Sequence, residues 1–259
     1  MANKEYTMAK NENTIEEKKA YNFCELTKKQ LIIGLIIVPF YFGILKYLIL
    51  EPLMNIIIND KELVVFWVNL LRNIIILVAY IILLRKNIIV ALQDFVKSKP
   101  KENIVWILKG ALFFFIARTA YVFVVILTKL ILGDKYTMLF GTGPQNQSAI
   151  NGIALKLPVL MIIFSVVLTP ILEELVFRYV LFHSLRRINK YLSMVVVSIV
   201  FAGMHVLREV ANGQFIQAAY FMLPYLAIAI PFVILYEKRK NIVFCIILHA
   251  ANNLLAQLL

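Results

Sequence analysis

Apolar residues gather in seven runs, at about 31–50, 63–84, 104–132, 158–182, 192–207, 218–236 and 242–258, and polar residues fill the shorter stretches between them. Runs near 20 residues match the length that crosses a bilayer's hydrocarbon core, where a helix satisfies its own backbone. The pattern predicts an all-α, polytopic transmembrane helical bundle of about seven spans. The third run carries Lys109, Arg118 and Lys129, which predicts a helix that is tilted, broken or partly outside the membrane. The fifth run is short. Pro39, Pro224 and Pro231 fall inside runs, where neighbours can resatisfy the freed backbone. In 85–101, RKNIIVALQDFVKSKPK, the residues Ile88, Leu92, Phe95 and Val96 share one face against Lys86, Asp94 and Lys97. That segment predicts a separate interfacial helix on the membrane surface. The stretch 133–157, rich in Gly, Pro, Asn and Gln, reads as a long irregular connection.

Composition agrees with a membrane setting. The 259 residues are 61% hydrophobic and 16% charged, against about 45–50% and 25% in soluble domains. The net charge of +12 is distributed unevenly. Segments 1–30, 85–103, 183–191 and 237–241 hold 17 Lys or Arg, whereas 51–62, 133–157 and 208–217 hold four. The bias predicts an N-in, C-out orientation and assigns the charge to topology and anionic lipid heads, not to nucleic acid. The tail 1–30 has no apolar core and so no cleavable signal peptide. Cys24 and Cys245 lie in different surroundings and suggest no disulfide framework.

Polar residues inside the runs then stand out, because ionisable groups in a bilayer are expensive and mark function by default. Of 15 acidic residues only Glu173 and Glu174 sit deep in a run, and of three histidines His205 and His249 do. His183 falls at the cytoplasmic edge beside Arg186 and Arg187. At 1.5 Å per residue, Glu173 lies about 14 Å from the cytoplasmic surface, His249 about 10 Å, Asn253 about 16 Å and His205 about 20 Å. These groups can therefore converge in the middle to cytoplasmic half of the membrane. Glu174 and Arg178 are spaced i, i+4, which favours an ion pair. Glu173 is rotated about 100° from Glu174, which leaves it the freer carboxylate and a general-base candidate. His249 and Asn253 also share a face, as do Phe201 and His205, so that the Phe201 ring can wall off the histidine.

Three motifs in order, EELVFR (173–178), FAGMH (201–205) and HAANN (249–253), resemble those of the CPBP (CAAX protease and bacteriocin-processing, or Abi) intramembrane proteases, the family of the Rce1-type prenyl-protein proteases. The resemblance divides the chain into a cytoplasmic tail (1–30), N-terminal spans with the interfacial helix (31–140), and a catalytic membrane domain (145–259). It implies an intramembrane endopeptidase in which Glu173 and His205 activate a water. Glu174 and Arg178 support them, and His249 and Asn253 polarise the scissile carbonyl. A metal-free glutamic mechanism is favoured. The metallo alternative would place a divalent ion, zinc, on Glu173, His205 and His249. Family members often carry Gly after the arginine, where this chain has Tyr179, and glycines in the sixth span, where it has Ala and Pro.

The expected partners are membrane lipid and a peptide or protein substrate in or at the membrane, with cleavage near the cytoplasmic side. The Lys-, Ile- and Asn-rich usage suggests a bacterial cell membrane, and by resemblance the processing of a bacteriocin or pheromone, or self-immunity. A competing reading is a non-enzymatic regulator that binds a sensor kinase or envelope partner. Retention of every motif residue argues against it. A proton or solute carrier would need repeats or paired interrupted helices, which the sequence lacks.

Overall fold

The computed structural model describes residues 26–141 and 143–258; Cys24 and the tail before residue 26 lie outside them. The described residues are helical throughout, with no strand. Helices α1 (Lys28–Ile44) and α2 (Lys46–Ile57) form a pair bent by 48°, with Pro39 and the non-helical Gly43 at the break. There follow α3 (Lys61–Lys97), α4 (Pro100–Leu132), α5 (Asp134–Phe140), α6 (Gln145–Lys156), α7 (Pro158–Arg186), α8 (Lys190–Met204), α9 (Leu207–Ala211), α10 (Phe215–Arg239) and α11 (Ile242–Leu258). By length and composition α3, α4, α7 and α10 suffice to cross a membrane, and α1 with α2 does so as one bent span. The remaining two runs fall on α8 and α11, which are shorter apolar helices.

Helix ends follow local chemistry. Asp60 accepts from the N–H groups of Glu62 and Leu63 to start α3, and Asn189 does the same for Tyr191 and Leu192 to start α8. Such caps satisfy donors that have no partner within the helix. Lys240 closes α10 in the left-handed conformation, and Asn241 then donates to the Ala91 carbonyl and to Asp94.

Two sequence expectations change and a third is narrowed. The segment 85–101 is not a separate surface helix, because α3 runs unbroken to Lys97. No Gly or Pro interrupts it before Pro100, and Asp94, Phe95 and Ala91 are held by Arg239, Phe244 and Asn241. Of the alternatives for the third run, a break is excluded: α4 is one continuous helix despite its cations. Lys109 lies over Trp106, Arg118 over Phe114 and Tyr121, and Lys129 over Tyr136, contacts that shelter a cation on apolar surface. The stretch 133–157 is mostly helical, as α5 and α6. Ile150, Ile153 and Ala154 recur on one face of α6 and pack with Phe66 and Met161.

The core is built around the second half of α7, where Leu172 through Val180 are all buried. α1, α3, α8 and α11 pack around this stretch and Phe232 and Tyr236 of α10 meet Arg178 and Tyr179, while α4 lies outside and touches α10 and α11. Gly34 allows α1 its close approach: a Cβ there would lie 2.9 and 3.1 Å from the methyls of buried Val180. Val180 is β-branched and has little rotamer freedom to yield. Replacing Gly34 by Leu is therefore expected to destabilise the bundle by about 1–3 kcal/mol, with Gly34→Ala intermediate. Thermal unfolding of the detergent-purified protein measures this; an unchanged midpoint for Gly34→Leu would contradict the packing.

Candidate active site

α7 presents both glutamates, and its geometry separates them. Glu174 is fully buried. Its Oε2 lies 3.0 Å from Arg178 Nε one turn later, the pair that the i, i+4 spacing predicts. The contact is an ion pair without the alignment of a hydrogen bond. The guanidinium lies against two rings, 5.2 Å from Phe201 and 5.7 Å from Phe232. Glu174 has a second role that the sequence did not disclose: its Oε1 accepts a hydrogen bond from His249 Nδ1 at 2.8 Å. A carboxylate only accepts, so Nδ1 carries the hydrogen. His249 Nε2 is thereby turned towards Glu173, 3.7 Å from its Oε2.

Glu173 faces the other way. It lines a cavity of about 480 Å³ and receives the Tyr41 hydroxyl on Oε1 at 3.3 Å. No lysine or arginine among the described residues pairs with it. His205, at the C-terminal cap of α8, donates from Nδ1 to the Phe201 carbonyl at 2.8 Å. This leaves Nε2 an acceptor in the neutral ring. The ring stacks on Tyr225 with centroids 4.1 Å apart. Phe201 touches both histidines, 4.9 Å from His205 and 6.0 Å from His249. The wall that its spacing suggested is therefore a wall for both. His183 lies apart, bonded to the Tyr179 carbonyl and packed on Tyr236.

Asn253 also lines the cavity, but one of its N–H groups is occupied. α7 contains π-helical turns at 163–168 and 175–182, a form that recurs at functional sites. In the first of these Thr169 N–H bonds back to the Phe164 carbonyl. The Ser165 carbonyl would look next to residue 170, which is proline and has no N–H. Asn253 Nδ2 takes its place at 2.9 Å. Gln257 donates to the Ser165 hydroxyl beside it. The third motif thus docks α11 onto a backbone irregularity of α7.

The cavity extends beyond the residues that the three motifs contribute. The cavity reaches Pro144, Gln147, Ile150 and Ile153 around α6, and Arg208 on α9. α9 follows the C-terminal end of α8 and α6 precedes the N-terminal end of α7, so the cavity reaches the ends of those two helices that lie away from the connection 187–189. His205 sits there because α8 ends at Met204, and α9 turns the chain back. The N-terminal spans contribute to the cavity as well. Tyr41, Asn69, Arg72, Asn73 and Arg118 all line the cavity. Arg72 donates from Nε and Nη2 to Asn73 Oδ1, at 3.1 and 2.8 Å. Asn69, Arg72 and Asn73 are spaced i, i+3, i+4 within an apolar run, a polar face that the sequence already carries.

The cavity has an external tether. Lys156, at the end of α6, bonds Asp60 at 2.6 Å and pairs with Glu62 at 2.7 Å. The ammonium holds the Asp60 carboxyl below its usual range, so the contact persists at neutral pH and loosens as pH falls through that lowered range. Among the described residues, no three His, Cys, Asp or Glu side chains are grouped so that they could hold a metal ion.

Residues 155–255 match the family described as type II CAAX prenyl endopeptidase Rce1-like. The chain is also 27% identical over 164 residues to the UPF0177 protein YxdF of Lactococcus lactis subsp. lactis (strain IL1403), covering 63% of this chain and 80% of that protein. No solved structure matches the chain. The long apolar helices, with the family match, make this an integral membrane protein whose residues 155–255 are similar to that family.

The unequal surroundings of the two glutamates predict unequal consequences. Glu174→Gln leaves the Arg178 charge buried and uncompensated, which costs about 3–5 kcal/mol. Glu173→Gln removes no buried ion pair with Arg or Lys and is expected to leave the thermal midpoint nearly unchanged. Unfolding curves of the two purified variants, compared with the parent, check this; equal losses would contradict the division.

Proposed function

We propose that this protein is an intramembrane endopeptidase that hydrolyses a membrane-associated peptide with a water activated by Glu173. The observation that carries the reading is the arrangement of Glu173 on the cavity wall, with His249 Nε2 3.7 Å away and no lysine or arginine paired with it among the described residues. A carboxylate so placed is available as a base. A water between Glu173 and His205 would give one hydrogen to each acceptor, Glu173 Oε2 and His205 Nε2. Glu173 takes the proton as the water oxygen attacks the scissile carbonyl carbon. The carbonyl oxygen becomes an oxyanion, and Glu173 then passes the proton to the leaving amine as the carbon–nitrogen bond breaks.

His249 and Asn253 serve the oxyanion. In its doubly protonated form His249 donates from Nε2, while Glu174 stabilises the imidazolium from the Nδ1 side. The remaining N–H of Asn253 is free to add a second donor. Preorganised donors of this kind are worth about 2.7–4 kcal/mol each in related chemistry. Arg178 does not reach the cavity; it holds Glu174 and so positions His249. Glu173, His205 and His249 do not group as a metal site among the described residues, and no step here runs through a metal. In keeping with the family description and the bacterial relative, the substrate is a CAAX-type or other lipid-anchored peptide in a bacterial cell membrane, with bacteriocin or pheromone processing and self-immunity as physiological settings.

Glu173→Gln is expected to abolish cleavage of a prenylated CAAX-type peptide by the protein in lipid vesicles, a loss of about 10²–10⁴-fold at normal expression. An unaltered rate would sink the proposal, and a phenotype that survives the change would favour the non-enzymatic regulator. Dialysis against a chelator, with metal content measured in parallel, should leave the rate intact. Loss of activity restored by zinc would instead establish the metallo form.

A further inference from the structure

Of the four carboxylate oxygens on Glu173 and Glu174, three are taken. Glu174 Oε2 faces Arg178, Glu174 Oε1 accepts from His249, and Glu173 Oε1 accepts from the Tyr41 hydroxyl at 3.3 Å. Glu173 Oε2 lies 3.7 Å from His249 Nε2 and accepts no hydrogen bond among the described residues. The residue that makes this division on Glu173 lies far outside the three motifs. Tyr41 stands in the π-helical turn Phe40–Ile44, where α1 bends. At this turn Phe40 is 40% exposed and Tyr41 only 2%. The Tyr41 ring meets Phe42 and Phe177 edge-on, with centroids 5.5 and 6.4 Å away. The Arg72 guanidinium lies 5.1 Å from its centroid and is itself held by Asn73. A phenylalanine would fill this aromatic niche with nothing to desolvate, whereas a buried hydroxyl needs a partner. That partner is Glu173. The ring is packed on several sides, so its hydroxyl is a donor fixed in place.

We infer that Tyr41 is a positioning residue for the catalytic base: it holds Glu173 Oε1 and so leaves Oε2 as the oxygen that takes the proton from water. The inference rests on the peptidase reading above, and it adds to that machinery a residue of the N-terminal spans. Tyr41 transfers no proton. The water hydrogen goes to Glu173 Oε2 and on to the leaving amine, while the phenol keeps its own hydrogen and donates it to Oε1 throughout. Without that hydroxyl the carboxylate can turn about its last bond, and Oε2 is aligned with the water for a smaller share of the time. Misplacing a reacting group by about 1 Å can cost about 10²-fold in rate, and a hydrogen bond to a charged group is worth about 10–100-fold. Tyr41→Phe removes the hydroxyl and keeps the ring, so the cavity wall stays in place. The loss therefore falls on kcat rather than on KM.

The test compares the parent and Tyr41→Phe, as full-length protein in phosphatidylcholine vesicles, on a prenylated CAAX-type peptide. The variant should lose about 10–100-fold in kcat, with KM within about twofold of the parent and an unchanged thermal midpoint. A parental kcat overturns the inference. A lowered midpoint with a raised KM marks a packing role for Tyr41 and overturns it as well. A second measurement does not depend on cleavage. Infrared difference spectra of the parent against Glu173→Gln protein identify the band of the Glu173 carboxyl group. That band should shift in Tyr41→Phe, because a donor has been taken from one of its oxygens. An unmoved band overturns the inference whatever the kinetics show. A parent that cleaves nothing sinks the peptidase reading instead, and a shifted band in that case still upholds Tyr41 as the residue that holds Glu173.

Discussion

At the centre of the bundle a fully buried glutamate, Glu174, divides its two oxygens between Arg178 on its own helix and His249 on another. Burial on this scale would be prohibitive for a lone carboxylate, and the pairing on both sides makes it tolerable. The cation is itself sheltered between Phe201 and Phe232, so α8 and α10 take part in stabilising a charge that originates on α7. One consequence is mechanical, since α7 and α11 are joined through the carboxylate. The other is chemical, since the bond to Nδ1 decides which nitrogen of His249 faces Glu173. Glu173, relieved of any structural duty to a cation, is left facing the cavity.

The backbone of α7 supports this arrangement by departing from α-helical register. The π turn before Pro170 leaves the Ser165 carbonyl without its next donor, and Asn253 supplies one. A polar backbone group freed inside a membrane protein needs a partner; here the partner is a residue of the site. The position of α11 is thereby set from two points on α7, one at Glu174 and one at Ser165. His249 and Asn253, one turn apart, are the side chains that make those two contacts.

Much of this was legible in the chain. The spacing of Glu174 and Arg178 announces their pairing, and the rotation of Glu173 away from it announces a different role. Phe201 and His205 touch as their separation implies. The surface helix expected at 85–101 failed because amphipathic periodicity does not distinguish a helix lying on a membrane from the end of one emerging from it. The polar loop expected at 133–157 failed because its composition hid the apolar face of α6. The sequence does not single out Arg72 and Asn73, because a cation and an amide in an apolar run acquire a role only from neighbours on other helices.

The sequence by itself determined the membrane setting, the helices and the small set of polar residues within them, because hydrophobicity and helical period act along the chain. It did not determine that Tyr41 touches a glutamate 132 residues away, that Arg72 shares a cavity with the same glutamate, or that one carboxylate orients a histidine of the last helix. Those are contacts between helices, set by how Val180 meets Gly34 and how α11 seats on the π turn of α7. Spacing within a helix fixes which side chains share a face; only packing decides what that face meets.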